Sequence, residues 1–128
     1  FGDVIPGLFE MNIEQLRDFC LSFKGVTEEL PFGPDTLVFK VMGKMFALLP
    51  LDREELVISL KNTPDRNAEL RQEYPFIQGA FHMNKTHWNM VFIDFSVKSN
   101  LVKELVTDSY NLVVESLTKK LKSELQNI

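Results

Sequence analysis

The sequence predicts a two-layer α+β domain, in which an antiparallel sheet of about five strands is covered by helices on one face. Three observations predict it: short apolar runs separated by turns, a glycine-bearing connection between two of those runs, and amphipathic helical patterns at both ends. Strands joined by short turns pair antiparallel. The expected order is α-β-β-β-α-β-β-α, and the second sheet face is left to meet solvent or a partner.

The first predicted helix begins at Asn12, a residue type that suits an N-cap, and Gln15 is its expected reciprocal partner. Gly25 ends this helix. Its apolar residues recur at helical spacing: Ile13, Leu16, Phe19, Cys20 and Phe23. Residues 26–35 contain two prolines and a glycine, so we expect them to form a loop.

Three strands are predicted next. Residues 37–41 and 45–49 flank a short connection at 42–44, whose glycine suits a β-hairpin. Residues 56–61 form the third apolar run. Because the connections are short, we expect the three strands to form an antiparallel meander.

The second half of the chain opens with another helix. Thr63 supplies a capping hydroxyl and Pro64 suits the first helical position. Residues 76–80 are predicted to be a connection. The polar segment at residues 81–89 leads into a strand at 90–95, and the pattern is helical from Ser96 to the end. The helices of this half are expected to join the first helix on one face of the sheet.

The composition is that of one soluble globular domain, with 128 residues of which 45% are hydrophobic and 25% charged. We expect the folded domain to occupy residues 11–128 and residues 1–10 to be a lead-in segment. The net charge of −4 disfavours general nucleic-acid binding, because phosphate neutralisation supplies most of its affinity. No apolar run approaches the roughly 20 residues of a membrane span, so we expect a cytoplasmic protein without membrane contact.

The most distinctive polar chemistry lies in His82-Met83-Asn84-Lys85-Thr86-His87-Trp88-Asn89, which holds both histidines and the only tryptophan. Together with residues 57–61, 70–75 and 108–113, this segment resembles the MmcQ/YjbR family of small bacterial proteins over about residues 11–125. The resemblance implies an α+β fold similar to that of frataxin-like proteins or secretion chaperones. It also implies a DNA-binding role through projecting β-wings, and it brings no catalytic residues.

A DNA-binding surface is therefore predicted around this segment, with double-stranded DNA as the partner and no cofactor. Lysine contacts phosphates, amides bond phosphates or base edges, and an indole offers a stacking face. The plainer alternative is that Trp88 anchors the core and that His82 and Asn84 brace a turn. The predicted contact residues are His82, Asn84, Lys85, His87, Trp88 and Asn89, extended by Lys40, Lys44 and Lys61.

Metal binding and catalysis are not expected. His82 and His87 are five residues apart, which is not the spacing of a helical zinc pair. Cys20 would need a histidine from elsewhere as its base, and it lies on the side of the first helix that is expected to be buried. We therefore predict that the protein is not an enzyme.

The alternative function is that of a protein-interaction or chaperone-like module. A two-layer domain leaves one sheet face uncovered, and the strand residues Phe39, Phe46 and Phe92 are candidates to make that face apolar. A position in the core is the commoner expectation for such phenylalanines. The acidic first 35 residues also suit a protein partner better than DNA. Such a face would bind another protein or form a homodimer.

Overall fold

The computed structural model describes residues 11–80 and 83–128 of the chain. The lead-in segment at residues 1–10 lies outside the described residues. Within the described residues there are four helices: α1 Ile13–Leu21, α2 Pro64–Glu73, α3 Ser99–Glu115 and α4 Lys119–Gln126. The strands are β1 Val26–Glu29, β2 Thr36–Val41, β3 Lys44–Pro50, β4 Leu56–Lys61, β5 Ile77–Gly79 and β6 Trp88–Ile93.

The strands form one antiparallel sheet in the order β1-β2-β3-β4-β6-β5. The α+β class and the order of elements are confirmed, but two strands lie where none was placed: β1 in the predicted loop and β5 in the predicted connection at residues 76–80. Val26–Glu29 pairs with β2 inside the segment that was predicted to be a loop. It carries one apolar residue, Val26, so its sequence has no alternating pattern to predict a strand. The likeness to frataxin-like proteins stays a prediction.

The signals at Asn12, at Thr63 and in the predicted hairpin are confirmed, whereas α1 ends at Leu21, before the predicted end at Gly25. Asn12 Oδ1 accepts from the backbone N–H of Gln15 at 2.8 Å, and Gln15 Oε1 accepts from the N–H of Asn12 at 3.0 Å. Thr63 caps α2, with Pro64 as its first residue. The two residues between β2 and β3 are Met42 at φ 50° and Gly43 at φ 86°, a left-handed pair that suits a tight hairpin.

The helices that the structure describes pack on one face of the sheet. Leu16 and Cys20 of α1, Leu70 of α2, and Leu125 of α4 all enter the same buried cluster. The helix α3 contributes the most, with residues of its buried side at Val102, Leu105, Val106, Tyr110 and Val113. The core therefore lies between this helix layer and one side of the sheet.

The hydroxyl of Ser109 on α3 bonds to two strands of the sheet at the position where the register between β2 and β3 shifts. Phe39 pairs with Ala47 and Lys40 pairs with Met45, so Phe46 is an extra residue in β3. Ser109 Oγ donates to the carbonyl of Phe46 at 2.6 Å and accepts from the backbone N–H of Lys61 in β4 at 2.9 Å. Because Ser109 is fully buried, water cannot replace it.

Ser109→Ala should lower the free energy of unfolding by about 1–3 kcal/mol, because it leaves a buried carbonyl and a buried N–H without partners. Urea denaturation measures the change. Ser123→Ala, at an exposed position of α4, is the matched control and should stay within about 0.5 kcal/mol of the parent protein. A Ser109→Ala protein as stable as this control would show that the hydroxyl does not hold the bulge.

Candidate functional site

The sheet face opposite the helices carries a row of side chains that crosses five strands. Each residue of this row pairs with the next one across the strands β2, β3, β4, β6 and β5, in the order Val38, Leu48, Ser59, Met90 and Gln78. Directly paired residues of antiparallel strands point to the same side of the sheet. None of these five belongs to the buried cluster under the helices, so the row lies on the side that the described helices do not cover, which we call the open face.

An apolar groove of about 530 Å³ lies on the open face. Its floor is formed by β3, β4 and β6, and its ends are formed by the connections that precede β2 and β6. The described residues that line it are Phe32, Thr36, Met45, Leu48, Pro50, Arg53, Ser59, Ala80, Met83, Asn84, Trp88 and Met90. Apart from Asn84 and Trp88, these residues carry no signal in the sequence that marks a site, because apolar residues of β3 and β6 have the same pattern whether they line a groove or a core.

One end of the groove is formed by a turn from the segment that was singled out in the sequence. The carbonyl of Asn84 accepts from the N–H groups of His87 at 3.1 Å and Trp88 at 2.9 Å. Asn84 Oδ1 accepts from the N–H of Thr86 at 2.9 Å. Asn84 therefore braces the turn, and Trp88, only 7% exposed, begins β6 with its side chain at the edge of the groove.

A buried amide network fastens this turn to α2. Asn89 is 2% exposed; its Nδ2 donates to the carbonyl of Asn67 at 3.2 Å and its Oδ1 accepts from Arg71 at 2.7 Å. Arg71 also donates to the carbonyl of Lys85 at 3.1 Å, and Asn67 Nδ2 donates to the carbonyl of Thr86 at 3.1 Å. Asn89 thus holds the groove wall in place, and its side chain could contact DNA only if these hydrogen bonds broke.

Asn89→Ala should lower the free energy of unfolding by about 1–3 kcal/mol, since Arg71 loses one of its two acceptors and the carbonyl of Asn67 loses a donor. The fluorescence emission of Trp88, the residue before Asn89, should shift to longer wavelength as the turn loosens. Urea denaturation followed by tryptophan fluorescence measures both. Asn111→Ala, on the exposed side of α3, is the control. Unchanged stability and emission in Asn89→Ala would contradict a bracing role.

The four predicted DNA-binding lysines gather at one end of the sheet but not on one face. Lys40 and Lys61 lie on the open face, and Lys40 Nζ is 3.1 Å from a carboxylate oxygen of Glu29. Lys44 Nζ donates to the carbonyl of Ser116 at 3.4 Å, toward the helix layer. The stem of Lys85 lies over Gly79 at the β5 edge. The predicted patch is therefore divided between the two sides of the sheet.

His82 lies outside the described residues, and His87 is half-buried in the turn. Among the residues that the structure describes, no three His, Cys, Asp or Glu side chains come together in a way that could hold a metal. Cys20 is fully buried, and desolvation raises the pKa of its thiol to about 12, so it stays protonated at neutral pH. The surroundings of Cys20 therefore do not support a role for its thiol as a nucleophile.

Two of the three phenylalanines considered for the open face lie in the core, the position that was the commoner expectation for them. Phe39 and Phe46 are fully buried under the helices, and only Phe92 of the three is on the open face, with the guanidinium of Arg53 at 5.5 Å from its ring centre. Both sides of β2 and β3 are apolar. Sequence alternation does not then say which side faces the helices.

In the described part of the chain, no helix is both long and apolar enough to cross a membrane.

Comparison with curated proteins finds bacterial relatives. The chain is 41% identical over 90 residues to an uncharacterised protein YbdF of Escherichia coli O157:H7, covering 70% of this chain and 74% of the relative. It is 27% identical over 110 residues to the uncharacterised protein YjbR of Escherichia coli K12, covering 86% of this chain and 93% of that protein.

Solved structures share the fold. A crystal structure of a Deinococcus radiodurans protein with a DUF419 domain matches with a TM-score of 0.85 and 36% identity, covering 95% of this chain and 92% of that one. A Pseudomonas syringae protein matches with a TM-score of 0.69 and 30% identity, covering 80% of this chain and 98% of the other. The YjbR family model matches residues 21–112. This chain belongs to the YjbR family.

Proposed function

We propose that the groove on the open face binds an apolar segment of a protein partner, in a role of recognition rather than catalysis. The observation that carries the proposal is the position of the groove: it is predominantly apolar, and it lies on the sheet face that the described helices leave uncovered. Contiguous apolar surface that stays exposed usually marks a contact with a partner.

The dimensions suit a short peptide segment. The lining extends from Thr36 on β2 to Ala80 beside β5. Measured across the strands, this distance is four strand spacings or about 19 Å. That length holds about six extended residues, or about thirteen residues of a helix. The volume of about 530 Å³ lies within the usual range of ligand sites, so the groove takes side chains rather than a flat surface.

The side chains in the groove suit a partner with apolar residues. Met45, Met83 and Met90 are unbranched and polarisable, so they adjust their shape to different apolar groups. Trp88 adds a rigid aromatic edge at one end. Ser59 and Asn84 supply polar groups that can fix the orientation of a bound backbone.

A charged, bulky residue in the groove floor should abolish binding. Ser59→Arg replaces a small, half-exposed side chain at the centre of the row, whereas Gln78→Arg places the same charge on the β5 edge outside the groove lining. Peptides selected from a random library against the parent protein should be rich in apolar residues. They should bind Ser59→Arg at least about tenfold more weakly and Gln78→Arg about equally. Binding is measured by fluorescence anisotropy of labelled peptides.

Thermal unfolding of both variants serves as the folding control. Selected peptides that bind folded Ser59→Arg as tightly as the parent protein would overturn the proposed groove function.

DNA binding is a second candidate function, favoured by the gathering of Lys40, Lys44, Lys61 and Lys85 at one end of the sheet. Four cations are fewer than the roughly six to ten phosphate contacts of a tight binder. Two of them are already engaged, Lys40 with Glu29 and Lys44 with Ser116. This arrangement gives DNA binding less support than the groove gives to a protein partner.

If DNA binds at the lysine end, its affinity should fall with salt with a slope in log–log form no steeper than about −4, since each phosphate contact contributes about 0.9. Lys61→Ala and Lys85→Ala should each weaken binding to a mixed-sequence duplex. Lys98→Ala, at the opposite end of β6 beyond Asp94, is the charge-matched control. An electrophoretic mobility assay at two salt concentrations measures the effect. Absence of binding at low salt would contradict this second function.

A further inference from the structure

The groove has an exposed apolar border at the end where β2 and β4 begin and β3 ends. Leu30, Phe32 and Leu51 are 50%, 66% and 42% exposed. The N–H of Leu51 donates to the carbonyl of Asp35 at 2.7 Å, which fixes the β1–β2 connection beside the end of β3. Of these three residues, here called the apolar lip, Phe32 lines the groove, and Leu30 and Leu51 lie on the connections at the same end of the sheet.

The surroundings of the apolar lip are acidic. Asp35, Asp52, Glu54 and Glu55 are exposed around it, on the β1–β2 and β3–β4 connections. Arg53 is the one basic residue in these two described connections. Its guanidinium is 3.6 Å from Glu55 and lies over Phe92, so its charge is partly compensated. Four carboxylates therefore surround this end of an apolar groove.

The opposite end of the open face carries Lys40 and Lys61. The carboxylates and these lysines therefore lie at opposite ends of the open face, with the charge of Lys40 partly compensated by Glu29. This polarity distinguishes the two directions in which a segment could lie. Opposite charges across an interface steer association and fix its register, whereas like charges oppose it. Nucleic acid and other polyanions are disfavoured at the apolar lip for the same reason.

We propose that the partner segment is cationic and amphipathic: its basic residues meet the carboxylates around the apolar lip, and its apolar residues lie in the groove toward Trp88. This inference rests on the proposed function, because it specifies the chemistry of the segment that the groove receives. The apolar contacts supply most of the affinity, and the carboxylates supply selection between segments of opposite charge.

Two synthetic twelve-residue peptides test the inference. Both have the same leucine and phenylalanine positions and no tryptophan, and they differ in carrying four lysines or four glutamates. Trp88, the only tryptophan of the chain, lines the groove and reports binding by its emission. The lysine peptide should bind at least about tenfold more tightly at low salt, and the difference should shrink as salt screens the charges.

A pair of double variants locates the effect. Asp52→Asn with Glu54→Gln removes two carboxylates beside the apolar lip and should reduce the preference for the lysine peptide at least about threefold. Glu69→Gln with Glu73→Gln removes the same charge from exposed positions of α2 and should leave the preference unchanged.

The outcomes separate the inference from the function on which it rests. Equal binding of the two peptides, or tighter binding of the glutamate peptide, overturns the cationic partner and leaves the groove as a binding site. Failure of both peptides to bind overturns the groove function itself. Self-association of the chain that Ser59→Arg abolishes, seen by analytical ultracentrifugation, would show that the occupant is a second copy and would overturn the cationic segment.

Discussion

The structure depends on a sheet that its described helices cover on only one face. Every helix in the described ranges sends its apolar side into the same cluster, and α3 contributes more residues to it than any other described helix. Ser109 joins the helix layer to the sheet by bridging β3 and β4 at the extra residue Phe46. Because one layer of helices buries one sheet face, the apolar side chains of the other face remain available to form a groove.

The polar segment at residues 83–89 has mainly a structural role in this groove. Asn84 closes the turn through its own carbonyl and side chain, and Asn89 joins Asn67 and Arg71 in a buried network. The residues on which the family resemblance depends therefore build one wall of the groove. A rigid wall suits recognition, because a site that is already formed loses less conformational entropy when a ligand binds.

Much of the fold could be predicted from local signals. The caps at Asn12 and Thr63 and the Met42-Gly43 turn each satisfy a backbone requirement with a residue type that the sequence displays. The missed strand β1 has one apolar residue, so its pairing comes from its neighbour β2 rather than from its own pattern. Such strands are set by tertiary context.

The candidate site was harder to predict, for a physical reason. Phe39 and Phe46 lie in the core, whereas Leu48 and Met90 line the groove, yet all four are apolar residues of buried-looking strands. The side of β2 and β3 that faces the helices depends on the bulge at Phe46 and on the packing of α3. Neither feature can be recognised in the local sequence. The lysines illustrate the same limit, since their shared end of the sheet could be anticipated but their division between two faces could not.

The most direct test of the open face as a binding surface uses the methyl groups of the five methionines. Met45, Met83 and Met90 line the groove, whereas Met11 is buried beside α1 and Met42 lies in the β2–β3 turn. With carbon-13 labelled methionine methyls, titration with the lysine peptide should shift the signals of Met45, Met83 and Met90 and leave those of Met11 and Met42 in place. Shifts at Met11 and Met42 without shifts at the three groove methionines would contradict binding on the open face.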